Sequence, residues 1–340
     1  MWRVIGHDWA VDLLDHSIKA GHISHAYLIT GLSSVGKTTL ATQFAQALHC
    51  AGPDAPCGNC RSCRLIDEMS HPDVHLVSLD TVPEQERRTR REIGINQIRE
   101  LQHSISLKPY AGKWKVCLIL EANQLSEEAA NCLLKTLEEP PSHSVLILTA
   151  VDGNMLLPTI TSRCQRLDLR PVATETIYRA LIKTYGVEED QAHVLAHLAV
   201  GRVGWALRTI RDGEHRQERQ RQLALLWKMG CASRVERMAL AQELSQQFAK
   251  GIAEREGVQE LLESWSGWWR DVLLIKEGCP NLVVNVDQLP RLREYAGQVP
   301  AGQASDALNR IRATQSYLDQ NVNPRLALEV LILGFPTVKV

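Results

Sequence analysis

The sequence predicts a fold of two classes: an α/β part on a largely parallel sheet over about the first 170 residues, then an all-α part. Three observations predict it. Short apolar runs alternate with helical patterns as far as "CQRLDL" (164–169), strand signals become scarce after "RPVATET" (170–176), and from about residue 214 the pattern is helical almost to the end. A chain of 340 residues exceeds most single cores, so several domains are expected.

The strand candidates are "HAYLIT" (25–30), "DVHLVSL" (73–79), "KVCLIL" (115–120), "SVLILTAV" (144–151) and "CQRLDL". Between them Leu40, Phe44, Ala45 and Leu48 recur at helical spacing, as do Ala130, Leu133, Leu134 and Leu137. The second of these helices is expected to start at Ser126, with Glu127 and Glu128 at the positive end of its dipole, and to stop at the prolines 140–141. "TIYRALIKTYG" and "DQAHVLAHLAVG" predict short amphipathic helices of a small second domain, 171–213. A third, helical domain takes 214–340, interrupted by a loop at "CPNLVVNVDQLP".

Charged residues are 23% and the formal net charge is −1, which excludes a global basic field drawing the molecule onto nucleic acid or an acidic membrane. DNA contact then needs a local patch or a partner. No apolar run approaches the roughly 20 residues of a membrane-spanning helix, and "MWRVIGHDWAVDLLDH" carries acids where a signal peptide is apolar, so the cytoplasm is the expected compartment.

"GLSSVGKTT" (31–39) fits G-x-x-x-x-G-K-[ST] and lies between an apolar strand and an amphipathic helix, the context a phosphate loop requires. Gly31 and Gly36 permit the tight turn, and the backbone N–H groups of Ser34, Val35, Gly36 and the first helical residues through Thr39 can surround phosphates. Lys37 can reach the β/γ oxygens, and the Thr38 hydroxyl can ligate magnesium. A magnesium site needs carboxylate support from a neighbouring strand. In "VCLILEANQL" (116–125) Leu120 ends the strand and Glu121 is the single acid, so ATP binding survives better than hydrolysis.

Cys50, Cys57, Cys60 and Cys63, in "CAGPDAPCGNCRSC", have the spacing of a tetrahedral all-cysteine zinc site, with no position left open for catalysis. The other five of the nine cysteines, Cys117, Cys132, Cys164, Cys231 and Cys279, are expected as small buried hydrophobes.

Four segments together, "HAYLITGLSSVGKTT", the adjacent cysteines, "AANCLLKTLEEPP" (129–141) and "LLPTITSRCQ" (156–165), resemble the clamp-loader branch of the AAA+ ATPases. Within it they resemble most the delta-prime subunits of bacterial DNA polymerase III, with looser similarity extending to "NVNPRLALEVLIL" (321–333). The resemblance implies a RecA-like AAA+ domain at 1–170, a small helical lid and a C-terminal helical collar. It also implies a bacterial, cytoplasmic hetero-pentamer with gamma/tau and delta subunits that loads the sliding clamp onto primer-template DNA for the polymerase holoenzyme. Its "SRC" arginine, here Arg163, would act as an arginine finger in a neighbour's ATP site.

Motor subunits of this branch carry an acidic pair where Leu120 and Glu121 stand, and a lid arginine where Gly204 of "GRVGWAL" falls, with Arg202 and Arg208 out of register. A stator that holds ATP without turnover follows from these losses. The competing readings are a gamma/tau-like motor in which Glu121 suffices for chemistry, and a zinc-dependent nucleic-acid-binding ATPase outside replication. The arginine-rich "QERRTRREIG" (85–94) reads as a solvated loop or a face for DNA or a partner, the tryptophans of "WSGWWR" (265–270) as packed core or interface, and His25 as a structural histidine.

Overall fold

The structure, a computed structural model, describes residues 2–82, 92–211, 213–320 and 322–338. The arginines 87–91 lie outside the described residues. The chain divides into two compact units, Met1–Tyr185 with Gly201–Trp205, and Gly186–Val200 with Ala206–Val340. Residues 171–213 are therefore distributed between the two.

The first unit is a five-stranded, wholly parallel sheet in the order β2-β3-β4-β1-β5. Its strands are β1 Ala26–Thr30, β2 Val74–Val77, β3 Lys115–Ile119, β4 Ser144–Ala150 and β5 Gln165–Asp168, one in each predicted run. β1, β3 and β4 are buried along their whole length, which is why they read as unbroken apolar runs rather than alternating ones. Alternate residues feed two cores. Tyr27, Ile29, Val116, Leu118, Val145 and Ile147 pack with Leu40 and Phe44 of helix α2 (Lys37–His49), whereas Leu28, Cys117, Ile119, Leu146 and Leu148 pack on the opposite side.

That second core is closed by α4 (Ile95–Ser106), which follows α1 (Asp8–Ala20), α2 and α3 (Arg61–Asp67) among the described helices, and by α5 (Glu127–Glu138). Ser126 caps α5 by accepting from Ala129 N at 3.2 Å, and Glu127 and Glu128 occupy its first turn, as the sequence predicts.

In the second unit the helices Gly213–Cys231, Arg234–Lys250, Ile252–Lys276, Leu289–Gln298, Ala301–Asp319 and Pro324–Leu333 surround one apolar core. Trp265, Trp268 and Trp269 are all buried in it, meeting Tyr295 and Phe335 ring to ring. The expected loop holds two single turns, Pro280–Leu282 and Val286–Gln288. It is tied down by the buried Asp271 carboxylate, which accepts from Val284 N, Asn285 N and Asn285 Nδ2 at 2.7–3.0 Å.

Two of the scattered cysteines correct the expectation: Cys117 is buried and Cys132 and Cys164 partly so, but Cys231 and Cys279 are exposed. Both sit at or just beyond a helix C terminus, where the chain turns away from the core; Cys231 Sγ donates to Val338 O at 3.2 Å. Trp265 also donates its Nε1–H to Gln222 O at 2.9 Å, so Trp265→Ala removes burial and a hydrogen bond together. The expected cost is about 3–5 kcal/mol, read as an earlier urea midpoint for the helical unit.

Candidate functional site

β1 delivers the chain to the carboxyl edge of the sheet, where Gly31 N donates to Ala150 O and Val151 O at 3.2 Å. Gly31, Ser34 and Gly36 take φ of +142°, +63° and +119°, and the loop then enters α2 at Lys37. Gly31 admits no side chain, since a Cβ there would lie 2.4 Å from Leu169 O. Val35 is buried beneath the loop, while Thr38 and Thr39 are exposed on the first turn of α2.

The loop's own carbonyls are taken by the protein. Lys37 Nζ donates to Gly31 O at 2.7 Å and Leu32 O at 2.9 Å, His7 Nε2–H to Val35 O at 3.1 Å, and Gly204 N to Ser34 O at 2.8 Å. Burial pushes the Lys37 pKa down, and Glu121 counters it. The acidic element of a phosphate-loop site would follow β3, which β4 separates from β1. β3 ends at Ile119, one residue before the expected Leu120, whose N–H still donates to Val77 O at 2.8 Å. Glu121 follows it in a left-handed conformation at φ +54°, its N–H spent on Thr149 Oγ1 at 3.0 Å and its side chain exposed. Gly204 leaves little room: a Cβ would stand 3.0 Å from Ser34 O.

Arg163 lies just beyond the short helix α6 (Pro158–Thr161). Its Nη1 donates to Thr159 O at 2.9 Å and Ser162 Oγ at 3.4 Å, and its Nη2 to Glu138 Oε1 at 2.8 Å. It is thus paired with a surface carboxylate while still partly open to solvent.

The four cysteines converge between α2 and α3. Their Sγ atoms lie within 4.8 Å of one another and all four are free thiols. Zinc–sulfur bonds of about 2.3 Å set tetrahedral sulfurs roughly 3.8 Å apart, so the cluster has the right size for one ion. Backbone N–H groups already face the sulfurs, Gly52 N and Cys57 N on Cys50, Cys60 N on Cys57 and Cys63 N on Cys60, at 3.3–3.4 Å. Backbone donors at Asn59 and Cys60 pull the Cys57 thiol down to about 6, whereas burial pushes the Cys63 thiol up to about 12.

Two family models match this chain: "DNA polymerase III, delta subunit" over residues 6–173, and its C-terminal counterpart over residues 241–337. The delta-prime subunit of Bacillus subtilis DNA polymerase III is 30% identical over 94% of this chain and 93% of its own length. The chain belongs to the DNA polymerase III delta-prime family. The tau subunit of B. subtilis is 28% identical over 97% of this chain, which spans only 60% of that protein's length. Among solved structures, a DNA polymerase III gamma-subunit-related protein of Thermotoga maritima aligns with 94% of this chain and 97% of its own at 15% identity and a TM-score of 0.45.

Next to the cysteines lies a buried cluster that sequence reading missed in this delta-prime family member, because its parts come from separate elements. His49 ends α2, His71 precedes β2 with its ring centroid 4.6 Å from that of His49, and Asp73 leads into β2. The triad is a poor cation site. Asp73 already accepts from Tyr110 N and Ala111 N at 2.6 Å, Gly112 N at 3.0 Å and Lys115 Nζ at 3.3 Å, which fills its acceptor positions. It is a clamp on the turn before β3. Burial opposes ionisation of Asp73, but these donors outweigh it and hold the carboxyl at about 2 against its usual 3.8. A lowered folded pKa means that this contribution is whole above about pH 4 and is lost as pH falls through 2. In acid unfolding, the stability gap between wild type and Asp73→Asn stays constant above that window and narrows within it.

Proposed function

We propose that this chain is the non-motor, delta-prime subunit of a DNA polymerase III clamp loader, which helps to load the sliding clamp onto primed DNA. The supporting observation is a complete phosphate loop whose Lys37 rests on Gly31 O and Leu32 O, together with Leu120 rather than an acid after β3. Such a site can receive ATP through Lys37 and the loop amides of residues 34–39, but Leu120 stands where a carboxylate would steady magnesium, and Glu121, whose charge acts on Lys37, is the acid that follows it. Thr38 offers its exposed hydroxyl to Mg2+. The chain's catalytic contribution goes elsewhere: Arg163 is supplied in trans to the ATP site of a neighbouring gamma/tau subunit, where its permanent charge stabilises the transferring phosphoryl group. The proposed organisation is an AAA+ domain at 1–170, a lid at 171–213 and a collar at 214–340 that joins the other loader subunits. DNA and clamp are met through the assembly, consistent with the net charge of −1.

Cys50, Cys57, Cys60 and Cys63 hold structural Zn2+ in this reading. The ion would cross-link the chain between α2 and α3 without taking part in chemistry. One zinc per chain is expected by metal analysis, and Cys60→Ser loses the metal and lowers the melting temperature.

The functional reading is tested on the isolated protein and in the reconstituted loader. ATP titration of the pure chain gives saturable binding that Lys37→Ala weakens by at least about tenfold, ~1.4 kcal/mol, with no turnover above background in the same sample. Robust Lys37-dependent hydrolysis by the pure chain would instead establish the motor reading. In the assembled loader Arg163→Ala lowers single-turnover hydrolysis at the site it faces by about 10³-fold, whereas Glu121→Gln leaves loading intact.

A further inference from the structure

We infer that Glu138 is a positioning residue for Arg163, fixing its guanidinium in the orientation in which a neighbouring subunit's phosphate meets it. The inference rests on the trans role proposed for Arg163. A guanidinium carries five N–H donors. Three are committed here, to Thr159 O, Ser162 Oγ and Glu138 Oε1, and two remain for an incoming anion. The first two acceptors belong to the turn that carries Arg163 and move with it. Glu138 does not: it is the last residue of α5, 25 positions earlier, and among the described residues it supplies the bond that references the guanidinium to the body of the domain.

That reference point is firmly held. α5 is capped by Ser126, buries Ala129, Ala130, Leu133 and Leu137, and is bonded to α4 through Gln102 Nε2, which donates to Cys132 O at 2.8 Å and Thr136 Oγ1 at 3.0 Å. Local electrostatics gives the acid no reason to be there. A carboxylate at the C-terminal end of a helix opposes the dipole, and Glu139 next to it adds a second negative charge. The Arg163 cation offsets both. Because both side chains are open to solvent, Arg163 partly and Glu138 by about half, the pair contributes little to folding. Its value lies in holding a long, rotamer-rich side chain in one pose before the ligand arrives, with two donors left uncommitted for it.

The test uses the loader reconstituted with its motor subunits and carrying Arg163→Ala, Glu138→Ala, Glu138→Gln or Arg163→Ala with Glu138→Ala. Size exclusion checks assembly of each complex, and single-turnover ATP hydrolysis is read alongside KM for ATP. Glu138→Ala is expected to lower the rate roughly 5- to 20-fold with KM unchanged, as a displaced catalytic group does. Glu138→Gln, whose amide oxygen still accepts from Nη2, stays within about twofold. The double variant is expected to be no slower than Arg163→Ala alone, because both changes remove one coupled unit. A loss from Glu138→Ala that persists in the Arg163→Ala background, or no loss at all while Arg163→Ala is slow, overturns the positioning role and spares the trans arginine. No loss from Arg163→Ala overturns both.

Discussion

The close approach of backbones at the carboxyl edge of the sheet is the constraint on which the rest of the first unit depends. β1 is hydrogen-bonded on both sides, to β4 and β5, so its exit is fixed by two registers at once. Leu169 N donates to Thr30 O, and Leu169 O fills the space where a side chain on residue 31 would begin. The glycine that opens the phosphate loop is therefore demanded by sheet packing, whether or not phosphate is bound. From that turn follow the loop's left-handed residues, the entry of α2 at Lys37, and the delivery of Cys50 and His49 to the far end of the same helix.

Much of this was legible in the sequence because single segments carried it. Strands buried on both faces appear as uninterrupted apolar runs, and Ser126 with its two following acids announced a helix start. Four cysteines within fourteen residues need only local folding to converge, and their spacing marked the cluster found. What was not legible depends on partners far apart in sequence. Nothing near Asp73 signals that its carboxylate will bind the turn at 110–112, and nothing near Arg163 names Glu138, although two acids closing a helix were a visible oddity. Cys231 and Cys279 were misplaced for a related reason: composition says that cysteine is usually buried, but only tertiary position decides it at a helix end.

The two charged features of the proposed site are treated in opposite ways. Lys37 is enclosed, its ammonium satisfied by loop carbonyls and its pKa lowered by burial, so a phosphate must displace existing bonds to reach it. Arg163 is held at the surface with donors to spare. A cation that is internally satisfied suits occupancy without chemistry, and one only partly satisfied suits delivery to another molecule.

Gly204 has a consequence for how such a protein can change. Restoring a motor's residues is more than a matter of exchanging Leu120 for an acid. Position 204, where the resemblance places the motors' lid arginine, is seated with its backbone N–H on Ser34 O and its α-carbon facing that same carbonyl. A side chain added there would meet that carbonyl at 3.0 Å, so the segment or the loop must give by a few tenths of an ångström to admit it. An acid at 120 and a side chain at 204 are therefore separate demands, and the second carries a packing cost of its own against the loop.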